Sequence, residues 1–140
     1  MDNQFFKHLL NNRGLKATNP RLNLLSEMQK FGSAMPYSTI QQAMKSIDRV
    51  TLYRTLESLT GQGIIHKAFH ENNETYYAIC GKQCHINQHQ HDHFHFKCTS
   101  CEAVTCVQPN KAFQVSIPDY EIHKVSIQLE GVCKVCTGGV

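Results

Sequence analysis

Two Cys-x-x-Cys pairs, Cys98-Thr99-Ser100-Cys101 and Cys133-Lys134-Val135-Cys136, bracket residues 102–132 in the second half of this chain. A C-x-x-C turn sets two sulfurs on one side of a tight knuckle. Two knuckles supply the four thiolates that a tetrahedral structural Zn²⁺ takes. Such an ion clasps both ends of the intervening stretch, so the segment must close into a small subdomain. The competing reading is a pair of disulfides. Seven cysteines, an odd number, do not make a complete disulfide set. The opening Met1-Asp2-Asn3-Gln4 lacks the basic and apolar regions of a signal peptide. No apolar run is long enough to span a bilayer, which argues against a membrane partner. A cytoplasmic location is therefore expected, where thiols stay reduced and C-x-x-C pairs bind metal or do redox work.

A chain of 140 residues fits one domain or two small ones. Each half alone would be marginal without help, and a metal clasp is one form of it. The charge is uneven. Residues 1–70 hold nine Lys or Arg against four Asp or Glu, whereas residues 71–140 hold five against seven. A basic front half suits a polyanion such as nucleic acid, although solvated basic faces are common.

Residues 4–12 read as a short amphipathic helix ended by Gly14. Thr18 or Asn19 caps a second helix with Pro20 in its first turn, and Leu22, Leu25 and Met28 form its apolar stripe. A loop carrying Gly32 and Pro36 follows, and Ser38 caps a third helix that runs through Met44. Asp48 caps a fourth from Arg49 to Gly61, with Leu52, Leu56 and Leu59 at i, i+4 and i+7 as its buried face. The period then changes. Residues 64–69 and 75–79 read as strands around the turn Glu71-Asn72-Asn73-Glu74. Helices followed by a β-hairpin give an α+β fold with an N-terminal winged helix-turn-helix over residues 1–79. Helix 49–61 stands at its recognition position and the hairpin is its wing. Residues 80–92 are polar and read as a hinge. Residues 93–140 read as a small α/β domain, with strands at 93–97, 103–107 and 121–129 and a short helix at 109–116.

Arg49, Thr51, Tyr53 and Arg54 lie off the leucine stripe, where they can reach phosphates and base edges. The plain alternative is a solvated helix face, and the wing and the basic balance weigh against it. His89, His91, His93 and His95 alternate, so an extended segment puts them on one face. A strand rises about 3.3 Å per residue, so only neighbours can share an ion. His93 and His95 are the favoured pair because their strand leads into Cys98. His85, His89 and His91 read as a solvated loop. No H-E-x-x-H, Gly-rich phosphate loop or G-x-S-x-G motif is present, so no catalytic constellation stands out.

The chain resembles the ferric uptake regulator (Fur) family of metal-sensing repressors. The resemblance is carried by Gly14–Arg21, by Asp48–Leu56 running on to Gly63-Ile64-Ile65, by His93–Cys101 and by Gly131–Cys136. It implies a homodimer whose winged-helix halves bind operator double-stranded DNA and whose C-terminal halves dimerise. It implies a structural Zn²⁺ on Cys98, Cys101, Cys133 and Cys136. It implies that Tyr53 and Arg54 read the major groove, that Lys16 approaches the minor groove and that Arg21 meets phosphates. The zinc uptake regulator (Zur) branch is the nearest pattern. Its regulatory ligands fall here on His66, Cys80, His93 and His95, a thiolate and three imidazoles that suit Zn²⁺. Fe²⁺ or Mn²⁺ at that site, in an iron- or peroxide-responsive member, is the alternative. Met35 stands where the family often has a histidine, which weakens the iron reading. Phe94 and about Ser126 replace donors of the family's additional site, so that site is not expected. Cys84 is unassigned, and Cys106 is read as a buried strand residue in preference to an alternate ligand. A zinc hydrolase and a metal-storage protein are the readings from other classes.

Overall fold

The computed structural model describes residues 3–79, 94–107, 115–123, 125 and 127–138. Among these, α1 (Asn3–Asn12), α2 (Asn19–Phe31), β1 (Met35–Pro36), α3 (Tyr37–Ala43), α4 (Arg49–Gly61), β2 (Ile65–Glu71) and β3 (Glu74–Ile79) form the first lobe. The second lobe contains β4 (Phe94–Cys98), β5 (Val104–Val107) and β6 (Gln128–Gly131). The expected hinge, residues 80–92, lies outside the described residues.

Apolar periodicity builds the first lobe. Phe6 and Leu10 of α1, Leu22, Leu25 and Met28 of α2, Ile40 of α3 and Leu52, Leu56 and Leu59 of α4 bury against Ile64 and Ile65. Each such side chain contributes about 1.5–3 kcal/mol when fully removed from water. Local chemistry sets the helix ends. The Asp48 carboxylate accepts the Thr51 N–H at 2.6 Å, and hydrogen bonding from the Thr51 side chain, with that N–H second, holds its carboxyl below the ordinary range. Gly32 closes α2 in the left-handed region at φ 82°. A Cβ added there meets nothing within 4 Å, so only backbone strain opposes a side chain. Gly32→Ala is therefore expected to lower stability by about 1 kcal/mol, seen as a lower urea midpoint with unchanged slope.

The wing turns on Asn72 and Asn73 at φ 53° and 63°, the left-handed pair that a two-residue hairpin requires. The sheet order is β1-β3-β2. The sequence predicts loop at β1, yet Met35 and Pro36 pair with Tyr77 and Tyr76. Proline is tolerated there because β1 is an edge. α3 starts at Tyr37 with Pro36 at its N-cap, so Ser38, the expected cap, lies inside the helix instead. The Ser38 N–H is satisfied by the Glu74 Oε1 of β3 at 2.7 Å, a cap supplied by tertiary structure instead of by a neighbour in sequence.

In the second lobe β4 is central, antiparallel to β5 and parallel to β6. The strand expected at 121–129 is confined to residues 128–131, and 121–123 have no regular structure. β6 is a largely exposed edge, so no inward-outward alternation marks it. Of the helix expected at 109–116, residues 109–114 lie outside the described set, and Val115 and Ser116 are not helical. The lobes meet through Ala34, Ala68, Phe69 and Val104. The Ala34 N–H donates to the Val104 carbonyl at 2.7 Å, and the His70 N–H donates to Gln128 Oε1 at 3.0 Å. No helix among the described residues is long and apolar enough to cross a membrane.

Candidate metal centres and nucleic-acid interface

β4 runs into the first knuckle and β6 into the second, so parallel pairing of these strands brings the knuckles together. The Thr99 N–H donates to the Gly131 carbonyl at 2.7 Å and ties the turns side by side. Cys98 is fully buried. Its sulfur accepts N–H groups from Cys101 and Ser100 at 3.4 Å each, and from Cys133 at 3.3 Å. These donors, Cys101 and Cys133 foremost, lower its thiol from 9.0 to about 6. Cys136 is pushed up to about 12, chiefly by its hydrogen bond to Cys133. The Cys101 and Cys133 sulfurs are 3.9 Å apart, and all four sulfurs lie within 4.8 Å of one another. A tetrahedron with Zn–S bonds of about 2.3 Å has edges of about 3.8 Å. The four expected residues thus fit a structural zinc, and none is in a disulfide.

A second cluster forms where the lobes join. His66 on β2 faces His95 on β4, with their Nε2 atoms 3.2 Å apart. Cys106 on β5 places its sulfur 3.4 Å from the same His66 nitrogen. The three donor atoms lie within 4.8 Å of one another. Zinc with bonds of about 2.0 Å to nitrogen and about 2.3 Å to sulfur needs separations of this size. Cys106 is exposed, not buried as expected. It lies directly across the ladder from His95, so the two side chains share one face. The knuckle and its flanking strands carry that register, and it was the signal available for Cys106. Cys80 and His93, the other two expected donors, lie outside the described residues, as do Cys84, His85, His89 and His91.

The face of α4 away from the core carries Arg49, Tyr53 and Arg54, all exposed. Thr51 is half-buried, and its backbone is engaged at both ends: the N–H by Asp48 and the carbonyl by the Thr55 hydroxyl at 2.7 Å. Lys16 is exposed on the loop between α1 and α2. Arg21 is half-buried and braces that loop against α4. Its Nη1 donates to the Lys16 carbonyl at 2.9 Å and its Nη2 to Ser58 Oγ at 3.4 Å. Arg13 adds a second brace, donating to the Gln62 carbonyl at 2.6 Å. Neither brace was evident in the sequence.

A winged helix with a basic exposed helix, joined by candidate metal donors to a lobe closed by four thiols, defines a metal-responsive DNA-binding regulator. The ferric uptake regulator family model matches residues 12–131, and the chain belongs to that family, whose members are transcription regulators and not enzymes. The ferric uptake regulation protein of Haemophilus ducreyi is 26% identical over 136 residues, covering 92% of this chain and 80% of that one. The fold is similar to that of holo XcZur, with a TM-score of 0.68 at 20% identity, covering 98% of this chain and 99% of the other. A zinc uptake regulator complexed with zinc and DNA gives 0.66 at 21% identity, covering 97% and 93%. The Vibrio cholerae ferric uptake regulator gives 0.58 at 20% identity, covering 91% and 98%.

Proposed function

We propose that this chain is a zinc-responsive repressor that acts in the cytoplasm as a homodimer on operator DNA and controls genes of metal uptake. The observation that supports it is the convergence of His66, from the wing, with His95 and Cys106, from the second lobe. Cys80 and His93 are proposed as candidate further donors, one of which completes the four-coordinate set that zinc takes. A bound ion there supplies a bridge between the lobes. His66 carries β2 with it, and β2 packs with the core under α4. Holding His66 against His95 and Cys106 therefore sets the direction of α4 relative to the dimerisation lobe. Two α4 helices must reach half-sites about one helical turn apart, or a multiple of it, so their spacing tolerates little error. Metal and operator affinities are then linked and reciprocal.

Tyr53 and Arg54 contact base edges, Arg49 and Thr51 the flanking backbone, and Lys16 the minor groove. Arg21 holds the Lys16 loop and keeps further guanidinium donors for phosphate. The partner copy covers Val115, Ile117, Tyr120, Ile122 and Leu129, large apolar residues that are exposed in the single chain. Two imidazoles and a thiolate favour zinc over Fe²⁺ or Mn²⁺, which suit oxygen-richer sets.

The test is an operator-binding titration against buffered free Zn²⁺, Fe²⁺ and Mn²⁺, using a site selected from random duplexes. Zinc is expected to raise affinity most. Arg54→Ala is expected to weaken the zinc-loaded complex about tenfold or more with zinc content unchanged. DNA binding indifferent to every metal would reject the regulator mechanism. A response to iron or manganese with zinc inert would reject the zinc assignment.

A further inference from the structure

We propose that Glu71 and Lys97 form a metal-independent latch that moors the far end of the wing to the second lobe and sets how much of the protein is docked before regulatory metal arrives. This rests on the preceding reading only for its link to metal affinity. β2 carries His66 near its start and Glu71 at its end. β4 carries His95 and, two residues on, Lys97. The two strands are thus joined at two separate points. At the second, Lys97 Nζ lies 2.7 Å from Glu71 Oε1, with side chains only 16% and 29% exposed. Lys97 Nζ also sits 5.6 Å from the centroid of the Tyr76 ring on β3, within cation–π range. The hydrogen bond from Lys97 holds the Glu71 carboxyl below its ordinary range, and the nearness of Glu71 raises that of Glu130 on β6. The neighbouring His70–Gln128 bond adds a neutral tie at the same end. An exposed ion pair contributes little; this one is shielded and joins two lobes.

The consequence follows from population shift. A ligand whose site exists only in the docked form shows an apparent affinity reduced by the docked fraction. Weakening the latch therefore weakens the regulatory site, although Glu71 supplies no atom to it.

The experiment uses the full-length zinc-clasped protein as wild type, Glu71→Gln, Glu71→Lys, Lys97→Glu and the double Glu71→Lys/Lys97→Glu exchange. Hydrogen exchange is followed at Ala34 and His70, whose N–H groups cross the lobe boundary. Zn²⁺ affinity of the second site is measured by competition with a chromophoric chelator. Glu71→Gln is expected to speed exchange at both amides and to weaken second-site zinc by about three- to tenfold, with knuckle zinc retained. The charge exchange is expected to restore both. Unchanged exchange in Glu71→Gln, or no recovery in the exchange variant, overturns the latch. A wild type that takes up no second zinc defeats the regulatory-site reading instead, and the amide exchange still decides the latch.

Discussion

Cys98→Ser is expected to release the clasped zinc and unfold the second lobe while α1–α4 stay folded. Cys98 is the fully buried member of the four, and three backbone N–H groups converge on its sulfur. A serine hydroxyl neither ionises near neutrality nor binds zinc with comparable strength. Structural zinc carries about 10–16 kcal/mol of apparent binding free energy in small zinc domains, which far exceeds what the small three-stranded sheet among the described residues can replace. The helical lobe has its own core, from Phe6 to Ile65, so helical circular dichroism should largely persist while zinc content falls by one ion per chain. A second lobe that stays folded with full zinc in Cys98→Ser would refute the clasp. The same site predicts a pH dependence of defined sign. Cys98, lowered to about 6, is already a thiolate at neutral pH, whereas Cys136, raised to about 12, keeps its proton until a metal displaces it. Zinc affinity should therefore rise with pH through neutrality. It should fall more steeply below about pH 6, where Cys98 also takes up a proton.

His66→Ala is expected to abolish the metal response of DNA binding while leaving the knuckle zinc in place. His66 is the common partner of His95, at 3.2 Å, and of Cys106, at 3.4 Å. It is also the one member of the described cluster that the wing contributes. Losing an outer partner of a metal ligand costs about 10–100-fold in affinity, and losing the ligand itself should cost at least the upper end of that range. Operator affinity in saturating zinc should then approach that of the protein stripped of regulatory metal. His66 is half-buried and outside the core cluster, so thermal unfolding of the helical lobe should move little. Retained zinc-dependent operator binding in His66→Ala would remove the proposed bridge.

Much of this architecture is legible in the residues themselves. The spacing of Leu52, Leu56 and Leu59 and the Asp48 cap mark α4 within local chemistry, and the helix begins and ends where they predict. Asn72-Asn73 marks the wing turn for the same reason, since few other residues accept positive φ. The two C-x-x-C pairs announce their own convergence, because a shared ion overrides the distance between them in sequence. A hairpin reading of the strands around the first knuckle also pairs Cys106 with His95. Treating Cys106 as a buried strand residue misses which face of β5 it occupies.

What sequence alone determined, then, is whatever depends on neighbours along the chain: helix periods, the Asp48 cap, the tight turn and the paired thiols. Tertiary structure alone decided which separated segments lie side by side. Pro36 became an edge strand, Glu74 capped α3, and β6 paired in parallel with β4. Arg21 braced the Lys16 loop, and Glu71 met Lys97. Each of these is a register between distant stretches, and such registers are set by the packing of whole elements. No local pattern of residues carries that information.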